Sequence, residues 1–525
     1  MRYVPTIGLE IHSQLKTATK MFCGCPVIRS NEQRIESNSK RMSDSNSSSF
    51  GDHLGAPNTA VCPVCLAHPG ALPVPNKEAI EAVIRLGIAI NGTIATISKF
   101  DRKNYFYPDL PKGYQISQYD QPFVKGGELC GVRITRVHLE EDTGRIQHLG
   151  PASGAGQSAS LIDFNRAGIP LMELVTEPDI KSGEQAVRFA KELQLILRYL
   201  GASDADMEKG QMRVEVNISL APVNTDGTRT DTEESPYESV SSPHKSVPMG
   251  TKVEIKNLNS FRAVGEAVEY EIKRQSEILD HGDKITQETR GWDDVKKITK
   301  SQRLKESSHD YRYFPEPDIP PLDLAKFDLE RLRVSVPELP KEKRVRFKKE
   351  YDLASDQVEI LTGDPALADY FERAASELKA QLPTTNYQLL VNYLTTDLLG
   401  SLNRTGSRIN DAKVMPEHLA HLTALISQGE LSSRMAKDIL GEMLETGLDP
   451  EEIVKTKGMV QISDEESLKK AIEEVIAENP EAVADYKKGK GNAAQFLVGQ
   501  TMARLKGKGN PQAINRLVGE VLTNK

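Results

Sequence analysis

Ile7-Gly8-Leu9-Glu10-Ile11-His12 is the stretch whose reading decides the fold. Ile7, Leu9 and Ile11 alternate with Gly8, Glu10 and His12, the period of two that sends side chains to opposite faces of a strand. The scheme returns in Arg136-Val137-His138-Leu139-Glu140, in Arg213-Val214-Glu215-Val216-Asn217-Ile218 and in Lys252-Val253-Glu254-Ile255-Lys256. Each segment has one apolar face and one face crowded with ionisable groups. If these strands share a sheet, their polar faces pool carboxylates, imidazoles, Lys and Arg into one concave surface. That is the inventory for holding a hard cation and a phosphate. The alternative is a set of unrelated solvated faces, since antiparallel sheets commonly face water on one side.

The chain has 525 residues, 38% hydrophobic and 27% charged, the make-up of a water-soluble globular protein with two to four domains. A formal charge of -8 argues against a general nucleic-acid coat, so no DNA partner is expected, but leaves room for a local basic patch that binds one RNA. Met1-Arg2-Tyr3-Val4-Pro5 runs directly into a strand, so no signal or transit peptide is expected. No apolar run approaches the length that spans a bilayer, so the expected location is cytoplasmic, with no membrane partner.

Five cysteines suit a reducing compartment rather than a disulfide scaffold. Four fall in two short pairs, Cys23-Gly24-Cys25 and Cys62-Pro63-Val64-Cys65, which can present four thiolates tetrahedrally to a structural zinc. Four reduced thiols without metal are the alternative. Cys130 stands apart and is expected to pack as a small hydrophobe.

Glu36 to Asp52 and Ala221 to Gly250 read as polar loops, and Pro151 to Ser158 as a loop tip without the Lys of a P-loop. Helices are expected at Lys77–Ile90, Gly183–Leu200 and Phe261–Leu279. Phe314-Pro315-Glu316-Pro317-Asp318-Ile319-Pro320-Pro321 marks an extended linker. Beyond it strands largely vanish. Pro416 to Glu445 carries two apolar stripes, Ser463 and Glu466 have capping-box spacing, and Phe496 to Leu522 reads as two helices broken near Gly507. Lys487, Lys488, Lys490, Arg504, Lys506 and Lys508 cluster near that break, as a phosphate grip or as solvated surface. The expected class is therefore α+β: an antiparallel-sheet cradle over 1–296, a linker and all-α middle domain over 297–412, and a helical tail over 413–525.

Lys103-Asn104-Tyr105-Phe106-Tyr107-Pro108-Asp109 sets aromatics among Lys and Asn, suited to stacking a nucleotide or a terminal adenosine, or equally to a rigid loop packed on the sheet. Asp163-Phe164-Asn165-Arg166-Ala167-Gly168 places a guanidinium before a turn, where it can grip phosphate or anchor the turn. With no Ser-Lys or Cys-His nucleophile and no Walker A loop, a nucleotide is expected on the sheet's polar face, clamped through Mg²⁺ by carboxylates.

These segments, with His138-Leu139-Glu140-Glu141-Asp142, Val253-Glu254-Ile255-Lys256-Asn257-Leu258-Asn259-Ser260-Phe261-Arg262 and His309-Asp310-Tyr311-Arg312-Tyr313-Phe314, resemble the B subunit of the tRNA-dependent amidotransferase. The resemblance covers nearly the whole chain and departs in two places, the Ser-rich stretch after Cys25 and the acidic loop after Leu220. It implies a subunit that binds misacylated tRNA and uses ATP and Mg²⁺ to phosphorylate the side-chain carboxylate of Glu-tRNA(Gln) or Asp-tRNA(Asn), making it a carbon-nitrogen ligase. It also implies ammonia from an amidase-type A subunit, a small C subunit as brace, a helical tRNA-binding tail and a cradle similar to glutamine synthetase. Carried onto this chain, Glu10, His12 and Glu140 become the first metal candidates, with Glu208, Glu215 and Glu254 behind them. Arg166, Arg213 and Lys256 become candidates for phosphate and transition-state charge, and Lys103, Asn104, Tyr105 and Glu254 for the nucleotide. A tRNA-binding scaffold without catalysis, or a free-standing ligase like glutamine synthetase, are the competing functions.

Overall fold

The computed structural model describes residues 2–28, 56–149, 159–223, 250–304, 311–383, 386–457, 464–487, 492–505, 509 and 511–523. The expected loops at 36–52 and 151–158 and most of 221–250 lie outside the described residues, as do His309, Asp310, Ser463, Lys488, Lys490, Lys506 and Lys508. The chain divides into two compact units, Met1–Leu339 and Pro340–Lys525.

The first unit is built on a ten-stranded sheet. Its strands are β1 (Arg2–Gln14), β2 (Thr93–Ile94), β3 (Val124–Lys125), β4 (Glu128–Leu129), β5 (Val132–Glu141), β6 (Pro170–Thr176), β7 (Met212–Val223), β8 (Val253–Leu258), β9 (Glu288–Asp293) and β10 (Ile298–Leu304). Spatial order is β10-β9-β8-β7-β1-β6-β5-β3-β2, with β4 also paired to β5. Every pairing is antiparallel except β8 with β9. All four alternating segments are thus strands of one sheet, and β1, β7 and β8 are consecutive neighbours.

Alternation decides which face is core. Ile7, Leu9 and Ile11 of β1, Val214, Val216 and Ile218 of β7, and Val137 and Leu139 of β5 are buried together. Against them pack the apolar residues of α1 (Lys77–Ala89), α2 (Gly183–Tyr199) and α3 (Phe261–Asp280), including Phe189, Leu193, Val264 and Val268. Each such side chain taken from water contributes roughly 1.5–3 kcal/mol. Ser182 and Ser260 fix the starts of α2 and α3 by accepting from the backbone N–H of Gln185 and Ala263. The two helices approach closely at Gly183, where an added Cβ would lie 2.7 Å from the Gly265 carbonyl oxygen.

The Pro-rich passage is extended, and it is laid against this unit. Phe314 pairs with Arg102 and Leu322 with Ser98, Ile319 and Leu324 are buried in the core, and Arg102 grips Glu316 through two hydrogen bonds of 2.7 and 2.8 Å. Residue 296 falls in the turn between β9 and β10. Cys130 is not a core residue. It sits half-buried in the turn between β4 and β5 with φ +53°, because the hairpin needs a left-handed residue there.

The second unit is helical, with one core from Phe347 to Ile453 and a separate one from Leu468 to Leu522. The helix Glu465–Glu478 is capped by Asp464, whose carboxylate accepts from Ser467 N at 2.9 Å. Among the described residues no helix is long and apolar enough to cross a membrane.

Candidate active site on the polar face of the sheet

Opposite the helices the same strands turn their polar residues outward, and register lines them up. Arg213, His12, Glu173 and His138 stand directly opposite one another on β7, β1, β6 and β5. The adjacent row is Glu215, Glu10, Val175 and Arg136. His12 Nε2 lies 3.2 Å from Glu173, 3.6 Å from Glu140 and 3.7 Å from Glu10. His138 Nε2 lies 3.4 Å from the same Glu173 oxygen. Ser117 Oγ donates to Glu140 at 3.2 Å, fixing its other oxygen.

Charge follows geometry. Burial works against a charged His12, but Glu173, Glu140 and Glu10 outweigh it and push its pKa up to about 9. Burial and Glu173 raise Glu10, with His12 partly opposing. Glu173 is itself buried, yet His138 and His12 hold it well below the usual carboxylate range. Lys103 resists its own burial because Glu140 and Glu173 keep it charged. Lys256 pairs with Glu215 at 2.8 Å and Glu254 at 3.6 Å, and Glu254 accepts from Thr289 Oγ1 at 2.7 Å. A second knot forms at buried Asp142, which holds Arg213 at 2.9 Å and Arg166 at 3.2 Å and accepts from Gln14.

The structure therefore brings together Glu10, His12, Glu140, Lys103, Arg213, Glu215, Lys256 and Glu254. Glu208 is elsewhere: it is exposed in the turn before β7 and belongs to no metal-scale group of acids and histidines among the described residues. Asn104 spends its amide on the carbonyls of Tyr311 and Arg312, and Tyr105 packs edge-on to Tyr311, centroids 6.1 Å apart. Both brace the rim. Glu173 and Asp142 escape a reading of the sequence. Glu173 is the lone acid in Pro170-Leu171-Met172-Glu173-Leu174-Val175, a strand buried on both faces and hence without alternation.

The donors suit a hard cation. Glu10, His12 and Glu173, and again His138, Glu140 and Glu173, offer ligand atoms within 4.8 Å of one another. His138 Nδ1 is buried without a hydrogen-bond partner among the described residues. The Sγ atoms of Cys23, Cys25, Cys62 and Cys65 also gather within 4.8 Å, a donor set that fits zinc. Cys65 is drawn down to about 4 by the hydrogen bond from Cys23, and burial pushes Cys25 up to about 12.

This thiol knuckle is sewn to the loop that carries Arg166. Phe164 N donates to Asn58 Oδ1 at 2.7 Å, and Asn58 N to Asp163 at 2.9 Å. Ala60 N donates to Asn165 Oδ1 at 2.8 Å, and Asn165 Nδ2 to the Ala56 carbonyl at 2.8 Å. Lys20, almost wholly buried, donates to the Phe164 carbonyl at 3.1 Å with its Nζ 3.8 Å from Cys65 Sγ. Gly168, at φ +86°, lets the loop turn back against Lys20 and Cys65.

The first unit thus presents one sheet face on which acids, imidazoles and cations converge, and the second unit is helical. Residues 5–330 match the family model described as the GatB/GatE catalytic domain, and residues 369–522 the one described as the GatB domain. The chain is 44% identical over 531 residues to the B subunit of the aspartyl/glutamyl-tRNA(Asn/Gln) amidotransferase of Thermoanaerobacter sp. (strain X514), covering 100% of both chains. The protein of that name from Synechocystis sp. is 42% identical over 534 residues, 99% of this chain and 98% of its own. That from Thermotoga petrophila is 44% identical over 531 residues, 99% of each. The chain belongs to the family of amidotransferase B subunits.

Proposed function

We propose that this chain is the activating subunit of a tRNA-dependent amidotransferase. It uses ATP to phosphorylate the side-chain carboxylate of Glu-tRNA(Gln), Asp-tRNA(Asn) or both. Ammonia, made from glutamine by an amidase-type A subunit that a small C subunit holds in place, then replaces the phosphate. The observation that carries this reading is the row Arg213–His12–Glu173–His138 with Glu10 and Glu140 beside it. A bare RNA-binding surface has no need of three carboxylates packed around one imidazole.

Glu10, Glu140 and Glu173 would hold Mg²⁺, which supplies charge neutralisation for phosphates. His12, 3.2 Å from Glu173, orients that carboxylate or joins as a ligand. Arg213 and Arg166 meet the phosphoryl oxygens from one side, and Lys256 and Lys103 from others. Glu215 and Glu254 hold Lys256 in place. Such preorganised donors are what phosphoryl transfer needs most. The cradle would then do the work of the glutamine synthetase sheet, which also activates a carboxylate. The sheet-bearing unit, Met1–Leu339, forms the catalytic region, and the helical unit, Pro340–Lys525, carries the tRNA-binding tail. The four cysteines hold a structural zinc.

The test is ATP hydrolysis by the chain assembled with its A and C partners, with and without Glu-tRNA(Gln). ADP formation that requires the misacylated tRNA, and gives Gln-tRNA when glutamine is added, supports the reading. Turnover indifferent to tRNA favours a small-molecule ligase, and tight tRNA binding without turnover favours a scaffold. Glu10→Ala should abolish turnover and leave tRNA binding intact.

A further inference from the structure

Next to the carboxylate cluster lies a cavity of about 280 Å³, and apart from Arg166 the proposed chemistry gives its lining residues no task. Gln14, Lys16, Arg145, Arg166, Lys209 and Gln211 line it. Gln14 stands two residues beyond His12 on the same face of β1, so the cavity opens about 7 Å along the strand from the acids. Gln14 and Arg166 both reach Asp142 and tie the cavity wall to the catalytic face.

Its chemistry is lopsided. Four cations line it against two carboxylates, Asp163 and Asp204. Asp163 is already taken by the backbone N–H groups of Asn58 and Asn165. Asp204 pairs with Lys16 at 3.1 Å, and Lys209 with Asp206 at 3.0 Å; Lys16, Asp204 and Lys209 are exposed, and Asp206 is half-buried. Such pairs contribute little and yield readily to a stronger anion. Arg145 makes no ion pair among the described residues. Among the described residues no aromatic ring lines the cavity, so these offer a base nothing to stack on.

The geometry points to a phosphate subsite: this cavity takes a phosphate-bearing chain that continues into the carboxylate cluster, not a base. Resting on the function proposed above, the occupant is either the outer phosphates of ATP or a phosphodiester near the aminoacyl end of the tRNA. Guanidinium and ammonium groups converging from four segments are the donors that phosphate oxygens require.

The experiment uses the assembled complex carrying Arg145→Glu with Lys209→Glu. Both side chains are solvent-facing, and a thermal melt matching wild type shows that folding is kept. Affinity is measured by calorimetry for inorganic tripolyphosphate, and by filter binding at several salt concentrations for deacylated tRNA(Gln). A loss of about tenfold or more for tripolyphosphate alone assigns the cavity to the nucleotide. A loss confined to tRNA, with the salt slope falling by about one unit for each cation reversed, assigns it to the RNA backbone. Wild-type affinity for both probes overturns the proposal. Neither readout depends on turnover, so absence of tRNA-dependent ATP hydrolysis in the wild type would refute the proposed function without touching this one.

Discussion

Replacing Asp142 by Asn is the sharpest probe of the polar face, because one buried carboxylate holds two arginines there. Its side chain is 3% exposed, and those of Arg166 and Arg213 are 34% and 46% exposed. A unit-charge pair about 3 Å apart is attracted by roughly 5 kcal/mol at an effective dielectric of 20. Two partly exposed guanidinium groups keep only about 1 kcal/mol of that each once water screens them. Asparagine retains the shape and one acceptor oxygen, so no cavity is added to the loss. The expected destabilisation is therefore about 2 kcal/mol, read as a lower urea midpoint at unchanged slope. Activity should fall further than stability, because both arginines lose the anchor that aims them. A drop of about 10- to 100-fold in tRNA-dependent ATP hydrolysis is expected, with tRNA affinity kept. A variant with wild-type midpoint and wild-type turnover would show that Asp142 does not position these arginines.

Other substitutions test separate parts. Purified protein should carry one zinc per chain by elemental analysis, and Cys62→Ser should lose it, since a four-thiolate site tolerates no missing ligand. Glu271 is fully buried between Arg274, with two bonds of 2.9 Å, and Arg290 at 3.2 Å, so Glu271→Gln should cost about 3 kcal/mol in urea unfolding. In the helical unit His421 lies 2.6 Å from Asp449 and 3.4 Å from Glu377, which raise its pKa above 6.5 against the effect of its burial. A raised value means stability that is complete below 6.5 and fades as pH climbs through the folded-state pKa. His421→Gln should flatten that part of the melting-temperature profile, and an unchanged profile would remove His421 as its source.

How much was legible follows from burial. β1, β5, β7 and β8 alternate apolar with ionisable residues, so Glu10, His12, Glu140, Arg213, Glu215 and Lys256 could be placed on a common surface from alternation alone. β6 buries both faces and carries no period, which hid Glu173, the residue that joins His12 to His138. Register is the other missing quantity. Spacing along one strand cannot say that His12 faces Glu173 rather than Leu171, and a slip of one residue would turn either away. Glu208 was misplaced for the same reason: it precedes β7 in a turn, where no pleat fixes its direction. The thiol pairs were legible because short spacing converges on its own, whereas Lys20 beside them was not, since a lone lysine gives no sign that it is buried.

The hydrogen bonds between the thiol knuckle and the Arg166 loop make the two a single mechanical part. The Sγ atoms of Cys62 and Cys65 are 3.9 Å apart, so that once zinc has left, a two-electron oxidant that also takes up their two protons would join them with little backbone movement. Such a link, or anything else that reshapes the knuckle, pulls on Asn58, Ala60 and Lys20 and through them on residues 163–168. Redox stress would then slow the chemistry from a distance, with every acid and imidazole of the face still in place.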